Sequence, residues 1–283
     1  MPRSRTRWRW AIPLAVVVAV AIGYVLLFGR SPGTVWASPA ATPAAPSIPV
    51  TPSTPSATAT PGPLRVVGLG DSVTSGEHCD CDDYVTGFGK LLAARTGAAV
   101  RTVDDGESGS TSPDLAADLA GDRGLRRDVA SADVVVVTMG ANDLTPALHA
   151  FRGGGCDAGC YGPELDQMSS DLGTVVGRVA ALSGGRAQVL VTTYWNVFAD
   201  GDVARRNEPA GYLPWSDRVT RSANTAICAT ATREGATCVD LYTPFKGDGS
   251  DDPTHLLAED GDHPDAAGTA AISRAVLAAY SRH

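Results

Sequence analysis

The sequence predicts an α/β protein built on one doubly wound parallel sheet. Five short apolar runs rich in valine recur between Leu64 and His283, as expected of parallel strands buried on both faces. Helical patterns fill the intervals between them, and that alternation gives a parallel sheet with helices on both sides. The stretch is also long enough to bury one core as a single domain.

The strand-like runs are Arg65 to Leu69, Ala99 to Val103, Asp133 to Met139, Gln188 to Thr193 and Thr237 to Leu241. A helix is expected from about Tyr84 to Arg95. The clearest one runs from Glu164 to Leu182, with Leu165, Met168, Leu172, Val175, Val176 and Val179 on one face, Pro163 at its start and Gly184 at its stop. Another covers Asp217 to Glu234, with Ser216 as N-cap and Gly235 after its end. The last covers Pro264 to Tyr280.

What precedes Leu64 has a different composition. Residues 1–63 hold 11 of the 19 prolines and no Asp or Glu. Arg3, Arg5, Arg7 and Arg9 lead into an uncharged run from Trp10 to Gly29, the length one helix needs to cross about 30 Å of hydrocarbon. Residues 1–30 therefore read as a transmembrane anchor or signal segment with the arginines kept on the cytoplasmic side. Val35-Trp36-Ala37 offers a small-residue cleavage site, so a cleaved signal is the competing reading. Residues 31–63 are Pro, Ala, Ser and Thr with little to pack, an extended spacer. Residues 64–283 form the expected folded domain.

That domain carries 18 Lys and Arg against 31 Asp and Glu. The acidic excess excludes a nucleic-acid surface, because phosphate binding needs a basic patch. The six cysteines, even in number on a chain expected to be exported, point to disulfides. Local pairing as Cys79/Cys81, Cys156/Cys160 and Cys228/Cys238 is the first expectation; the last is the most natural of the three and the first the least, its ring being so short. His78-Cys79-Asp80-Cys81-Asp82 also admits a metal-binding reading.

In a doubly wound sheet ligands bind beyond the carboxyl ends of the strands. There lie Gly70-Asp71-Ser72 after the first run, Asp105 to Thr111 after the second, Gly140-Ala141-Asn142-Asp143 after the third, and Asp260-Gly261-Asp262-His263-Pro264 before the last helix. Singly these have ordinary uses: Ser72 as an N-cap, Asn142 and Asp143 as turn formers, Gly109 as a positive-φ residue, His263 as a helix start. Together they supply a serine, a histidine to take its proton, and Asp260 three residues before that histidine to fix its tautomer. His255 is the rival base, while His78, His149 and His283 read as surface residues.

With these four blocks in order, the sequence resembles the SGNH hydrolases, the GDSL esterase and lipase superfamily, from about Leu64 to His283. The resemblance implies a flavodoxin-like three-layer α/β/α fold with a five-stranded parallel sheet. It implies Ser72 as nucleophile, His263 as base and Asp260 as its orienter. The oxyanion hole would be the backbone N–H groups of Ser72 and Gly109 with the Asn142 side-chain amide, Gly106 being the other glycine available for the second block. Val73 stands where many members have Leu. The expected activity is hydrolysis of a carboxylic ester, such as an acylated glycan or lipid of the cell envelope, by a monomer that needs no metal or cofactor. Acyl transfer by the same residues, or a carbohydrate-binding module on the same fold, are the alternatives. No G-x-S-x-G elbow and no phosphate-binding P-loop occurs. The segment Tyr194 to Trp215, with five aromatic residues, is long for a strand-to-helix connection; its rings either line the cleft or pack the loop down.

Overall fold

A computed structural model describes residues 62–156 and 159–281. In chain order these form β1 (Leu64–Gly70), α1 (Tyr84–Thr96), β2 (Val100–Gly106), α2 (Ser112–Gly121), α3 (Arg123–Ala130), β3 (Val134–Thr138), α4 (Thr145–Arg152), α5 (Gly162–Ser183) and β4 (Gln188–Thr192). There follow α6 (Gly201–Asn207), α7 (Tyr212–Arg233), β5 (Thr237–Val239), α8 (Tyr242–Lys246) and α9 (Ala266–Ala279). The strands lie in the order β2-β1-β3-β4-β5, all parallel, the flavodoxin-like order. Helices α1 and α9 pack together on one face, and α2, α3, α5 and α7 on the other.

Burial explains the strand sequences. Every residue of β3, Val-Val-Val-Val-Thr, is buried, because helices cover both of its faces. The outer strand β2 has no fully buried residue and ends in Asp104, Asp105 and Gly106. Register then sets the site: Gly70 at the end of β1 stands level with Gly106 of β2 and with Thr138 of β3. The three following loops therefore leave the sheet at one height. The strand order reverses between β1 and β3, and a crevice opens there.

The helix boundaries differ from expectation at two places. Helix α7 begins at Tyr212, so Ser216 is no cap; it lies buried inside the helix, where its hydroxyl donates to the Leu213 carbonyl. Burial of Tyr212, Trp215 and Val219 on one stripe extends the helix N-terminally. Helix α9 begins at Ala266, because the Asp265 carboxylate accepts from the N–H groups of Ala267 and Gly268. Pro264 instead pairs with Leu257 in an antiparallel bridge.

The cysteines pair locally in all three cases, including Cys79 with Cys81, the pair least expected from its short ring, whose Cα atoms stand 5.1 Å apart. Cys228–Cys238 ties α7 to β5. Among the described residues no helix is long and apolar enough to cross a membrane. The apolar run Trp10 to Gly29 and the proline-rich spacer lie outside the described residues.

Candidate active site

The turn after β1 is built for close approach. Gly70 has φ +151°, and a Cβ there would run into the Thr138 carbonyl and the Thr74 hydroxyl. The buried Asp71 carboxylate accepts from the Val73 N–H at 3.0 Å and from the Tyr194 hydroxyl at 2.5 Å. Thr74 and Ser75 donate their N–H groups back to the Asp71 carbonyl. Ser72 is thus fixed at the lip of the crevice, half-buried.

His263 reaches it from the opposite end of the chain. Its Nε2 lies 2.8 Å from Ser72 Oγ, and its Nδ1 lies 2.5 Å from Asp260 Oδ2. The other oxygen of Asp260 accepts from the N–H groups of Asp262 and His263, which closes a turn that fixes the imidazole. Burial alone would raise the Asp260 carboxyl; the hydrogen bond from His263 and the two backbone N–H groups outweigh it and hold the carboxyl below the usual range. Asp260 therefore stays an anion facing Nδ1, and the Nε2 lone pair is directed at the serine hydroxyl.

The other blocks arrive as the register requires. Asn142 follows β3 and opens a short 3-10 turn; its amide donates to the Ser110 carbonyl at 2.9 Å. One N–H of the amide is thereby used to orient it, and the second is left for another acceptor. Next to it, Asp143 accepts from the Ser112 N–H and hydroxyl and anchors the start of α2. The two candidate glycines of the second block have different tasks. A Cβ on Gly106 would strike the backbone of Thr74 and Ser75, so Gly106 serves packing. Gly109 has φ +79°, with nothing within 4 Å of where a Cβ would stand, so its backbone conformation and not close packing favours glycine there.

A cavity of about 40 Å³ lies beside the serine, lined by Ser72, Asn142, Tyr194, Trp195, Asp262 and His263 among others. A wider cleft of about 390 Å³ shares Asn142 and continues past Thr111, Pro113, Pro163 and Glu164 to Met168. Two carboxyls at the small cavity are shifted upward. Desolvation takes Asp71 to about 6 in spite of its Tyr194 and Val73 hydrogen bonds, and burial likewise pushes up Asp262.

Two alternatives left open by the sequence are narrowed here, and one expectation, for His78, changes. The aromatic rings of the Tyr194 to Trp215 segment divide between the two alternatives: Trp215 stacks between Phe151 and Phe198 and packs the loop down, while Tyr194 and Trp195, the latter stacked on Phe245 at 4.3 Å, also line the small cavity beside Ser72. His255 is not at the serine; its Nδ1 faces the Asp252 carbonyl at 3.2 Å on an exposed turn. His78, expected on the open surface, is half-exposed but faces the site: its Nε2 is 3.5 Å from Asp260 Oδ2, and its ring centroid is 5.0 Å from that of His263. The cysteines beside it are bonded to one another, which removes them as metal ligands. Asp71, Glu77, Asp262 and Asn196 also border the site without having been picked out from the sequence. Of these, Asp71 and Asp262 lay inside recognised blocks, and Glu77 and Asn196 lay in none.

The fold recurs in solved structures of low sequence identity. A lipase, Lip_vut3, from a goat rumen metagenome superposes with a TM-score of 0.65 at 19% identity, over 76% of this chain and 97% of the other. Axe2, an acetylxylan esterase from Geobacillus stearothermophilus, gives 0.56 at 21% identity, over 78% and 96%. A lipase/acylhydrolase from Enterococcus faecalis gives 0.52 at 19%, over 76% and 94%. No curated protein matches the chain. The family model for the GDSL-like lipases and acylhydrolases matches residues 69–271, from the end of β1 to within α9, so every block of the crevice falls inside it. With the sheet order, the crevice and that match in agreement, the chain belongs to the GDSL-like Lipase/Acylhydrolase family and is a carboxylic-ester hydrolase.

Proposed function

We propose that the chain hydrolyses esters of short acyl groups through a covalent acyl-enzyme on Ser72. The observation that carries this reading is the continuous line from Asp260 through His263 to the Ser72 hydroxyl, with contacts of 2.5 and 2.8 Å. His263 takes the serine proton as Oγ attacks the ester carbonyl, then returns it to the leaving alcohol; water repeats the cycle to release the acid. Negative charge on the carbonyl oxygen is met by the N–H groups of Ser72 and Gly109 and by the Asn142 amide, which the Ser110 carbonyl already holds in place. Asp260 remains ionised and stabilises the imidazolium formed at each step.

Size supports the short acyl group. The small cavity is about 40 Å³, about three times what one water needs, which is room for an acetyl-sized group and too little for a fatty chain. The alcohol then lies in the wider cleft on the other side of Asn142. Its lining of Pro113, Pro146, Pro163 and Met168, with Thr111, Gln167 and Glu164, exposes mainly apolar surface and suits either the ring face of a glycan or a lipid-like alcohol. Three disulfides fit an oxidising compartment outside the cytoplasm. Together with the arginine-flanked apolar run and the spacer of residues 31–63, they favour an enzyme tethered outside the membrane and acting on acylated envelope material.

A serine-directed organophosphonate tests the central claim. Labelling is expected on Ser72 alone, identified by peptide mass, and His263→Ala should slow it by orders of magnitude, because an unassisted hydroxyl is a poor nucleophile. Modification at another serine, or undiminished labelling of the variant, overturns the assignment.

A further inference from the structure

Beside the proposed triad stands a second imidazole that the hydrolytic cycle does not use. His78 Nε2 lies 3.5 Å from Glu77 Oε1 and 3.5 Å from Asp260 Oδ2, while the other Glu77 oxygen lies 3.9 Å from His263 Nε2. His78, Asp260 and His263 each present a donor atom within 4.8 Å of the others. Tetrahedral ligands on bonds of about 2.0–2.2 Å stand roughly 3.3–3.6 Å apart, so the Glu77–His78 separation already matches and the Glu77–His263 separation is slightly long. Imidazole nitrogen with carboxylate oxygen is a donor set for zinc and its neighbours in the transition series, and a poor one for calcium or magnesium.

The placement of His78 is held by its surroundings. It is the one non-glycine residue with positive φ among the described residues, at +60°. The Glu77 N–H donates to the Ser72 carbonyl on one side, and the Cys79 N–H donates to the Gly76 carbonyl on the other. The Cys79–Cys81 disulfide closes the segment immediately after it. Access is open, with the His78 side chain 51% and the Glu77 side chain 37% exposed, so a hydrated ion can reach the donors and keep a water as a further ligand. Besides His263, the charged groups nearby are acidic: Asp71 and Asp262 line the cavity, and Asp260 faces His78.

We infer that Glu77, His78 and His263 form an inhibitory site for a zinc-class dication, which switches the enzyme off by occupying the His263 Nε2 lone pair. Metal bound at Nε2 displaces the Ser72 hydrogen bond and leaves the serine proton without an acceptor. Asp260, accepting from Nδ1, then acts as the outer carboxylate that commonly orients a metal-bound histidine. The inhibitory effect rests on His263 being the base, as proposed above; the binding itself does not.

The experiment has two arms on the whole protein. In the first, zinc chloride is titrated into the hydrolysis of an aryl acetate, with magnesium and calcium chloride as controls and a chelator added at the end. Half-inhibition is expected at a zinc concentration at least tenfold below any effect of the controls, with full recovery on chelation. His78→Asn, chosen because asparagine tolerates positive φ, should keep the uninhibited rate and need at least tenfold more zinc; Glu77→Gln should shift in the same direction. In the second arm, calorimetry measures zinc binding to the wild type and to His78→Asn without reference to turnover. Equal zinc sensitivity in both, or equal binding heats, overturns the inference. Loss of zinc binding in His78→Asn from a protein that hydrolyses no ester would retain the site and remove the proposed reaction instead.

Discussion

Two constellations in this domain use the same ingredients, an aspartate facing a basic side chain, to opposite ends. In one, Asp260 faces His263 at the crevice, where the pair is partly open to solvent and the outer imidazole nitrogen is directed at Ser72. In the other, Lys246 lies under the sheet rim with its ammonium 2.8 Å from Asp200 and 3.0 Å from Asp217. Both Lys246 and Asp200 are buried. Asp200 also accepts from the Asn196 amide and the Gly201 N–H, and Asp217 from the Tyr242 hydroxyl and Arg221. The second cluster is saturated with partners; the first keeps one nitrogen facing the cavity. A charged cluster with every valence used holds loops, whereas one with a valence open to solvent can move a proton.

The largest test of that contrast is Asp260→Asn. It should cost about 10⁴-fold in kcat through loss of the correct tautomer, with a thermal midpoint close to that of the wild type because the site is half-open. Ester hydrolysis and calorimetry on the same preparation check it, and a folded, active variant would break the comparison. Next in size, Lys246→Met leaves Asp200 buried without its cation. Removing one partner of such a pair costs about 3–5 kcal/mol, which lowers the midpoint by about 10 °C for a domain of this length. The kcat of the fraction still folded should stay near normal below the transition.

The smallest effect concerns Asp71, which sharpens the comparison because it lies next to the proposed nucleophile and yet belongs with the saturated groups. Its folded-state pKa of about 6 exceeds the ordinary 3.8. Between these values the folded protein holds a proton that the unfolded chain releases, so this group's contribution favours folding below about pH 4 and is lost as pH rises through 6. Asp71→Asn should remove that part of the pH dependence, on the order of 1–3 kcal/mol. Thermal midpoints of both proteins between pH 4 and 7 read it directly, and parallel curves would refute the assignment.

The strands and the four blocks were legible because each is local. Valine runs announce strands buried on two faces, and the Gly70-Asp71-Ser72, Asn142-Asp143 and Asp260 to His263 groups each fit within a few residues. What escaped depends on distance. Tyr194 meets Asp71 across 123 positions of sequence, and nothing near either residue marks the pair. His78 read as a surface residue because its neighbours Asp260 and His263 come from the far end of the chain. The start of α7 was misplaced for a related reason. Tyr212 and Trp215 resemble loop aromatics until Phe151, Phe198 and the sheet are present to cover them.

Ser72 and His263 are separated by 191 positions, the serine following the first strand and the histidine standing just ahead of the last helix. A nascent chain emerging from the ribosome, or any fragment clipped ahead of Asp260, thus carries the proposed nucleophile without its proposed base. The hydroxyl remains as inert as any other serine until the C-terminal turn has docked beside Gly70. Hydrolytic activity is in this sense a late property of folding, acquired with the most sequence-distant contacts, which form against the greatest loop-closure cost. A rate measurement on a refolding sample would register completion of the whole domain, well after its helices had formed.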